Sequence, residues 1–348
     1  MREMLEILLD RRDLAESQAE ELLTCLTSAQ CPPPMAGAIL AALSSKGVVA
    51  DEVRGFARGM RRLARRPQVP AGLRAIDVVG TGGDASGSLN ISTGTALLAA
   101  ACGLPVLKHG NRSVSSRAGS ADVLEALGLE IPLDEQAAGE CLAACNFTFL
   151  FAPHYHPAMK AVAPVRAALG VRTIFNILGP LTNPGEPPFH LIGAYSREVA
   201  QLIAQTLAGM EVERSFVVHG AHGWDEPTPA GPFELFDVRP GRIVAEVREP
   251  QDYRLSRCTA EGLAGGDAQH NARALRAVLM GEDRGPHRDC LLLGAALALE
   301  VTGQARTPHE AVERAVEAID SGASRRVLES LAAFSAARGA SRPTALPV

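Results

Sequence analysis

The sequence lacks long apolar runs and lacks a large excess of charge of either sign. No run reaches the roughly eighteen apolar residues that a membrane-spanning helix needs, so we expect no membrane partner. The net charge of −5 provides no overall field for nucleic acid. One predicted helix carries a basic cluster of Arg54, Arg58, Arg61, Arg62, Arg65 and Arg66. Acidic residues lie nearby, so this cluster is better explained as a solvated helix face than as a surface that binds nucleic acid.

The seven cysteines include no Cys-x-x-Cys pair, and their number is odd. We therefore expect neither a zinc site nor a disulfide framework, but reduced thiols that act as small buried hydrophobic groups. A signal sequence is also absent from the pattern, because Met1 to Met4 lead directly into an amphipathic stretch. We expect a globular protein of the cytoplasm.

The apolar periodicity predicts an α/β fold with a small helical N-terminal domain. Residues 1–70 read as helices alone, at 4–9, 19–27, 34–44 and 51–66, with Asp51 as the N-cap of the last. Residues 71–338 alternate short apolar runs with helical stretches, which is typical of a mainly parallel sheet flanked by helices. The expected strands are 76–79, 106–108, 147–151, 191–195 and 216–219.

The end of the chain departs from this alternation. Pro240-Gly241 separates the runs 235–239 and 242–247, which predicts an antiparallel pair of strands. Helices are expected at 267–280, 289–301 and 308–334, and residues 339–348 are expected to be a frayed tail.

The most informative stretch follows the first predicted strand. Residues 80–85, Gly-Thr-Gly-Gly-Asp-Ala, formally satisfy the dinucleotide fingerprint. The next helix starts only after residues 86–89, however, and Lys108 stands where a ribose-binding acid is expected. Lys108 suits a phosphate or pyrophosphate, and Asn90, Ser92 and Thr93 offer donors at a helix start, although alone they would be an ordinary helix cap.

Two adjacent acids follow the predicted strand 216–219. Asp225 and Glu226 lie after the flexible residues 220–223, at the strand end where open α/β sheets bind ligands. Such a pair is usually solvated when it stands alone. Together with a polyphosphate, the two carboxylates become hard oxygen ligands suited to Mg²⁺.

A basic and aromatic segment precedes the helix expected at 158–169. His154 and His156 are two residues apart and point to opposite sides of an extended segment, so they are poor joint metal ligands. Met159, Val162 and Arg166 share a helix face, which favours an inward Arg166 whose guanidinium could hold a carboxylate. The spacing alone fits a surface arginine equally well.

Together, these segments resemble the anthranilate phosphoribosyltransferase family along nearly the whole chain, to about residue 331. The matching motifs are residues 80–84, 90–93, 108–116, 119–125, 157–166, 173–184 and Asp225-Glu226. The resemblance implies that the amine of anthranilate attacks C1 of phosphoribosyl pyrophosphate (PRPP) while magnesium-bound pyrophosphate leaves. It also implies two Mg²⁺ ions per site and a homodimer that forms through the helical domain. A hinge would join this domain to the larger α/β domain, and about residues 157–185 would contribute further helices to it.

The same resemblance implies roles for individual residues. Lys108, Asp225 and Glu226 are the implied catalytic residues, and Ser92, Asp225 and Glu226 hold magnesium. Gly80, Asn111 and Arg166 meet anthranilate. The residues implied to hold PRPP are Gly80, Gly83, Asp84, Ser88, Asn90, Ile91, Ser92, Thr93, Lys108, His109, Gly110, Asn111, Arg112, Ser113, Val114, Ser115, Ser116 and Ser120.

Two rival functions differ from this expectation. A pyrimidine nucleoside phosphorylase of the same fold superfamily binds orthophosphate and needs no metal-bound pyrophosphate, so Asp225-Glu226 is the discriminating feature. A non-catalytic relative would bind nucleic acid in a basic groove, which the acidic balance disfavours. The chain departs from the family pattern at Arg117-Ala118, at Tyr155 and over 227–247. The change at Tyr155 could alter entry of the aromatic acceptor, so these departures leave the acceptor specificity open.

Overall fold

The computed structural model describes residues 1–113 and 117–341. The helices are α1 (Arg2–Leu9), α2 (Glu16–Leu26), α3 (Pro33–Lys46), α4 (Ala50–Arg62), α5 (Ile91–Ala101), α6 (Ser120–Ala126), α7 (Glu135–Cys145), α8 (Ala152–Tyr155), α9 (Met159–Leu169), α10 (Phe175–Leu178), α11 (Arg197–Ala208), α12 (Ala268–Leu279), α13 (Pro286–Val301), α14 (Pro308–Asp320) and α15 (Ala323–Ser341). The strands are β1 (Ile76–Gly80), β2 (Val106–Gly110), β3 (Phe147–Phe151), β4 (Phe189–Gly193), β5 (Arg214–His219), β6 (Phe233–Arg239) and β7 (Arg242–Arg248).

The helical unit is built on close packing of α2 against α4. Phe56 and Met60 of α4 are buried, as their shared face predicts. A Cβ on Gly55 or on Gly59 would lie within 3.0 Å of atoms of α2, so the absence of side chains at these positions lets the two helices approach. Later in the chain, α9 and α10 return to this unit, where the ring of Phe175 lies 5.9 Å from that of Phe56.

The first turn of α4 corrects the predicted N-cap. The helix begins at Ala50, one residue before Asp51, and the residue in the cap position is Val49. The fully buried Glu52 accepts hydrogen bonds from the backbone N–H groups of Val49 (3.1 Å) and Leu14 (3.0 Å). Glu52 thus satisfies the helix start from inside the first turn, so Asp51 is not needed as the cap.

The seven strands form one sheet in the order β3-β2-β1-β4-β5-β6-β7. The first five strands of this order are parallel, whereas β5, β6 and β7 pair antiparallel, as the Pro240-Gly241 turn predicts. The predicted α/β fold with a helical N-terminal unit is therefore confirmed. Because parallel strands end at the same edge, Gly80 and Gly193 pair at the carboxyl ends of β1 and β4.

The C-terminal helices differ from the expectation in two places. The helix predicted over 308–334 is two helices, α14 and α15, separated at Gly322, which adopts a φ of 73°. Such a left-handed backbone ends a helix, and glycine adopts it without steric cost. The frayed tail predicted over 339–348 is wrong for residues 339–341, because α15 extends to Ser341, and residues 342–348 lie outside the described residues.

The structure also shows the state of the cysteines and the length of the apolar helices. All seven cysteines are free thiols: Cys141, Cys145 and Cys290 are buried, and the other four are half-buried. Within residues 1–113 and 117–341, no helix has the length and apolar content that a bilayer crossing requires.

Candidate active site

Three glycines at the carboxyl edge of the sheet make room for the acidic pair. A Cβ on Gly80 or on Gly193 would lie within 3.0 Å of Asp225, and one on Gly220 would lie within 3.0 Å of the backbone oxygen of Glu226. Real Cβ atoms do not come so close to other atoms. The ends of β1, β4 and β5 thus jointly seat the segment that carries Asp225 and Glu226.

Asp225 is tied to the glycine-rich turn that follows β1. The backbone N–H of Gly82 donates to Oδ2 of Asp225 at 2.6 Å, and the N–H of Asp225 donates to Oδ2 of Asp84 at 3.3 Å. Burial, and then the negative charge of Asp84, raise the pKa of Asp225 to about 7. The turn and the acidic segment, far apart in sequence, therefore form one structure.

Glu226 binds the start of α5 in the same way. Its Oε1 accepts a hydrogen bond from the backbone N–H of Ser92 at 3.0 Å, in the first turn of the helix. Burial, and then the charge of Asp225, raise the pKa of Glu226 to about 8. A carboxylate at a helix N-terminus also meets the positive end of the helix dipole.

Lys108 places a buried positive charge beside the acids. Its side chain is enclosed by the protein, and Nζ donates to the backbone oxygen of Val78 at 2.5 Å and to Oγ of Ser92 at 3.3 Å. Burial lowers the pKa of Lys108, while the charges of Asp77, Glu226 and Asp225 oppose that shift. The predicted catalytic residues Lys108, Asp225 and Glu226 thus converge on Ser92 and the turn.

The raised pKa values predict how the stability of the metal-free protein changes with pH. Both carboxyls bind protons more tightly in the folded state, so their contribution is fully present below the unfolded-state pKa values and is lost as pH rises through about 7 and 8. Between about pH 6 and pH 8.5 we expect a loss of free energy of unfolding of about 4 kcal/mol.

This loss is measured by denaturant unfolding in a chelator, with the Asp225→Asn, Glu226→Gln double variant as the reference. The variant carries no titrating carboxyl at either position, so the difference between the two proteins isolates the pair. Equal pH dependence in both proteins would contradict the burial of charge at this site.

The turn between β1 and α5 has the backbone geometry of an anion cradle. Gly82 and Gly83 adopt φ values of 68° and 77°, a left-handed backbone that glycine adopts without steric cost, and nothing lies within 4 Å of the position of a Cβ on Gly82. The hydroxyls of Ser86 and Ser88 lie 3.1 Å apart in the same turn. Helix α5 begins only at Ile91, as the argument against a dinucleotide site expects.

Several predicted PRPP residues turn their side chains elsewhere. Ile91 and Thr93 are buried in the core, and Nδ1 of His109 lies 3.1 Å from the backbone oxygen of Gly179. The exposed guanidinium of Arg112 pairs with Asp122 and Glu125 of α6. The backbone N–H groups of these four residues are also used within the protein, by oxygens of Leu89, Asn90, Asp77 and Asn111.

The remaining predicted residues border the cradle. Gly110, Asn111 and Ser113 lie at or just after the end of β2, and Ser120 opens α6. Nδ2 of Asn90 donates to the backbone oxygen of Ala118 at 3.0 Å, which joins the start of α5 to the segment before α6. Val114, Ser115 and Ser116 lie outside the described residues.

Arg166 lies on the inner side of α9, as its shared face with the buried Val162 predicts, but the fold does not bring it into the Lys108 cluster. It is half-buried, and its guanidinium carbon lies 5.2 Å from the centre of the Phe175 ring. Burial lowers the pKa of Arg166. Within the described parts of the chain it forms no ion pair, so its charge is open to an acidic ligand.

Asp77 and Asn183 are site-supporting residues that the sequence argument missed. The fully buried Asp77 accepts hydrogen bonds from the N–H of His109 (3.2 Å) and from Nδ2 of Asn183 (2.8 Å). Burial raises the pKa of Asp77 to about 6. A signal did exist, because Asp77 is a charged residue inside an otherwise apolar strand.

The structure places the side chain of Tyr155 in the core. The side chain is fully buried, and its hydroxyl donates to the backbone oxygens of Leu133 (3.2 Å) and Asp134 (3.3 Å). Tyr155 therefore fills the core of the α/β part of the chain instead of lining an entrance for an aromatic acceptor.

The donor set fits a hard cation that is shared with a phosphate ligand. Among the described residues, no group of three or more His, Cys, Asp or Glu side chains could hold a metal unaided. Asp225 and Glu226 each accept a hydrogen bond from a backbone N–H through one carboxylate oxygen, Oδ2 of Asp225 and Oε1 of Glu226. One or two carboxylates completed by phosphate oxygens is the usual protein environment of Mg²⁺.

Comparison with known proteins supports both parts of the fold. The glycosyl transferase family, a/b domain, matches residues 72–325, and the helical bundle domain of the glycosyl transferase family matches residues 2–64. The anthranilate phosphoribosyltransferase of Desulforudis audaxviator is 45% identical over 96% of this chain and 96% of its own length. The anthranilate phosphoribosyltransferase of Rubrobacter xylanophilus is 44% identical over 94% of this chain and 96% of its own length.

Solved structures give the same result. Anthranilate phosphoribosyltransferase from Thermus thermophilus superposes with a TM-score of 0.89 at 40% identity, over 96% of this chain and 99% of that one. The Saccharomyces cerevisiae protein in complex with PRPP and Mg gives 0.87 at 27% identity, over 96% and 97%.

Proposed function

This chain belongs to the anthranilate phosphoribosyltransferase family, and we propose that the cluster of Lys108, Asp225 and Glu226 is its active site. The enzyme transfers the phosphoribosyl group of PRPP to the amine of anthranilate, giving N-(5-phosphoribosyl)anthranilate and pyrophosphate in tryptophan biosynthesis. The observation that carries the assignment is the attachment of Asp225 to the glycine turn and of Glu226 to the start of α5.

The chemistry requires stabilisation of a leaving pyrophosphate. As the bond from C1 to the pyrophosphate breaks, positive charge develops on the ribose and negative charge on the departing oxygen. Lys108, buried beside Ser92, supplies a fixed positive charge, and the turn supplies backbone N–H donors. Such groups are already oriented before the reaction, so they stabilise the transition state without reorganising solvent. Mg²⁺, when bound, neutralises phosphate charge and assists departure of the leaving group.

The acceptor needs positioning more than activation. The aromatic amine of anthranilate is neutral near pH 7, so no strong general base is required for its attack on C1. Arg166 has a guanidinium that is open to the anthranilate carboxylate, and Asn111 is exposed at the end of β2. Held in line with C1, the amine gains rate from proximity and orientation.

The metal count, the remaining ligand roles and the assembly belong to the same proposal. Magnesium is the cofactor, as in the yeast relative with PRPP and Mg, and we propose two ions held through Ser92, Asp225, Glu226 and the pyrophosphate. The proposed homodimer forms through the helical unit. Support for it is an apolar surface groove between α3 and α9, lined by Pro33, Gly37, Pro164, Val165, Ala168 and Leu169.

The function is tested by following the fluorescence of anthranilate. Purified protein with PRPP and Mg²⁺ is expected to consume anthranilate, and a chelator is expected to stop the reaction because the acids and the phosphate need the cation between them. Thymidine with orthophosphate is the comparison substrate. Phosphorolysis of thymidine without consumption of anthranilate would favour the nucleoside phosphorylase instead.

A further inference from the structure

Arg172 reaches from the helical unit to the glycine turn. It lies between α9 and α10, and its own backbone oxygen accepts a hydrogen bond from Oγ of Ser44 in α3 at 3.5 Å. Its guanidinium Nη2 donates to the backbone oxygen of Gly83 at 2.5 Å. The backbone of Arg172 is thus held by one unit while its charge lies on the other.

An aromatic face fixes the direction of this side chain. The guanidinium carbon lies 4.0 Å from the centre of the Tyr195 ring, which is a cation–π distance. Tyr195 is attached to the same turn, because its backbone N–H donates to Oγ1 of Thr81 at 3.2 Å. The guanidinium is therefore pre-oriented, and less entropy is lost when it binds a ligand.

The charge of Arg172 has no acidic partner in the parts of the chain that the structure describes. By contrast, many other arginines form ion pairs; Arg112, for example, pairs with Asp122 and Glu125. A guanidinium carries five N–H donors, and the described structure uses one of them, on Gly83. An exposed cation with unused donors, fixed on a turn rich in backbone N–H groups, is suited to a diphosphate.

We propose that Arg172 binds the diphosphate of PRPP from the helical unit. This inference rests on the proposed function, and it divides the segment around α9 between the two substrates. Arg166 serves the carboxylate of the acceptor, whereas Arg172 serves the phosphates of the donor. Because the backbone of Arg172 belongs to the helical unit, PRPP becomes a ligand that connects the two units.

The test compares Arg172→Ala with Arg172→Lys, Arg166→Ala and Arg74→Ala. Arg74 is the matched control, since it also stacks on an aromatic ring, 4.8 Å from that of Phe189, and pairs with Glu213. Loss of a charge-assisted contact in Arg172→Ala is expected to raise the KM for PRPP about tenfold to a hundredfold. The KM for anthranilate should stay within about twofold, because the acceptor contact is elsewhere.

The other variants sharpen the expected pattern. Arg172→Lys should recover part of the affinity for PRPP because it keeps the charge, and Arg166→Ala should raise the KM for anthranilate instead. Arg74→Ala should match the wild type. Titration calorimetry with PRPP and Mg²⁺ supplies a second readout, in which Arg172→Ala is expected to show the same weakening as the KM.

Two results would overturn the assignment. If Arg172→Ala binds PRPP as tightly as the wild type does, the role of Arg172 is limited to its hydrogen bond with Gly83. If the KM values for PRPP and for anthranilate rise equally, the substitution disturbs the whole site instead of one ligand contact. Calorimetry separates this inference from the proposed function. If the wild type binds PRPP without consuming anthranilate, the function fails while a selective loss of PRPP binding in Arg172→Ala still supports the inference.

Discussion

The Asp225→Asn, Glu226→Gln double variant is expected to lose about a thousandfold or more in kcat/KM with PRPP and Mg²⁺. Amide groups have nearly the same size as the carboxyls but carry no charge to hold a cation against pyrophosphate. The variant should fold, and above about pH 7 its stability should equal or exceed that of the wild type, because two buried charges are removed.

The adjacent acids Glu282 and Asp283 provide the matched control for this variant. They lie between α12 and α13, and Asp283 accepts a hydrogen bond from the N–H of Gly285, which Asn can also satisfy. Glu282→Gln with Asp283→Asn should leave the steady-state kinetics unchanged. Wild-type activity in the Asp225, Glu226 double variant, measured at saturating Mg²⁺, would refute the metal assignment.

Gly193→Ala is expected to lower kcat/KM by about a hundredfold and to destabilise the fold by about 3 kcal/mol. The added Cβ would lie within 3.0 Å of the backbone oxygen and carbonyl carbon of Asp225. These are backbone atoms beside a central strand, so they cannot turn away as a flexible side chain would. Relief of the overlap must shift the segment that carries both carboxylates, and a shift of about 1 Å is enough to impair catalysis.

Gly339→Ala in α15 is the control for the added methyl group. Nothing lies within 4 Å of a Cβ at that position, and alanine is the better helix former. Kinetics, the melting temperature and the urea midpoint should separate the two variants clearly. Unchanged kinetics in Gly193→Ala would show that the position of the acidic pair does not depend on the end of β4.

The predictions that succeeded rest on local patterns. Apolar runs and turn residues located the strands, because strand and helix periods are set by neighbouring residues. The site prediction at the glycine turn, Lys108 and Asp225-Glu226 also rests on a local pattern, because these residue types are unusual at the ends of apolar strands, and it stays a prediction. The errors were local as well: the N-cap at Asp51 failed because Glu52 satisfies the helix start, and the break at Gly322 was hidden within a continuous helical pattern.

Side-chain directions at the site depended on contacts between distant segments. Gly82 bonds Asp225, 143 residues later, and Ser92 bonds Glu226, 134 residues later. The same kind of contact turns His109 toward Gly179 and places Arg172 on Gly83. Periodicity carries no information about such pairs, which form only when the strands have been ordered in the sheet.

The sequence by itself determined the fold class, and it predicted a phosphate-binding role for the turn after β1 and a cation-binding role for the acidic pair. Only the tertiary structure decided that three glycines at neighbouring strand ends seat that pair, that Asp77 and Asn183 support the end of β2, and that Arg172 crosses between the units. The physical reason is that helix and strand formation depend on nearby residues, whereas steric fit, burial of charge and the resulting pKa values depend on which segments the fold packs together.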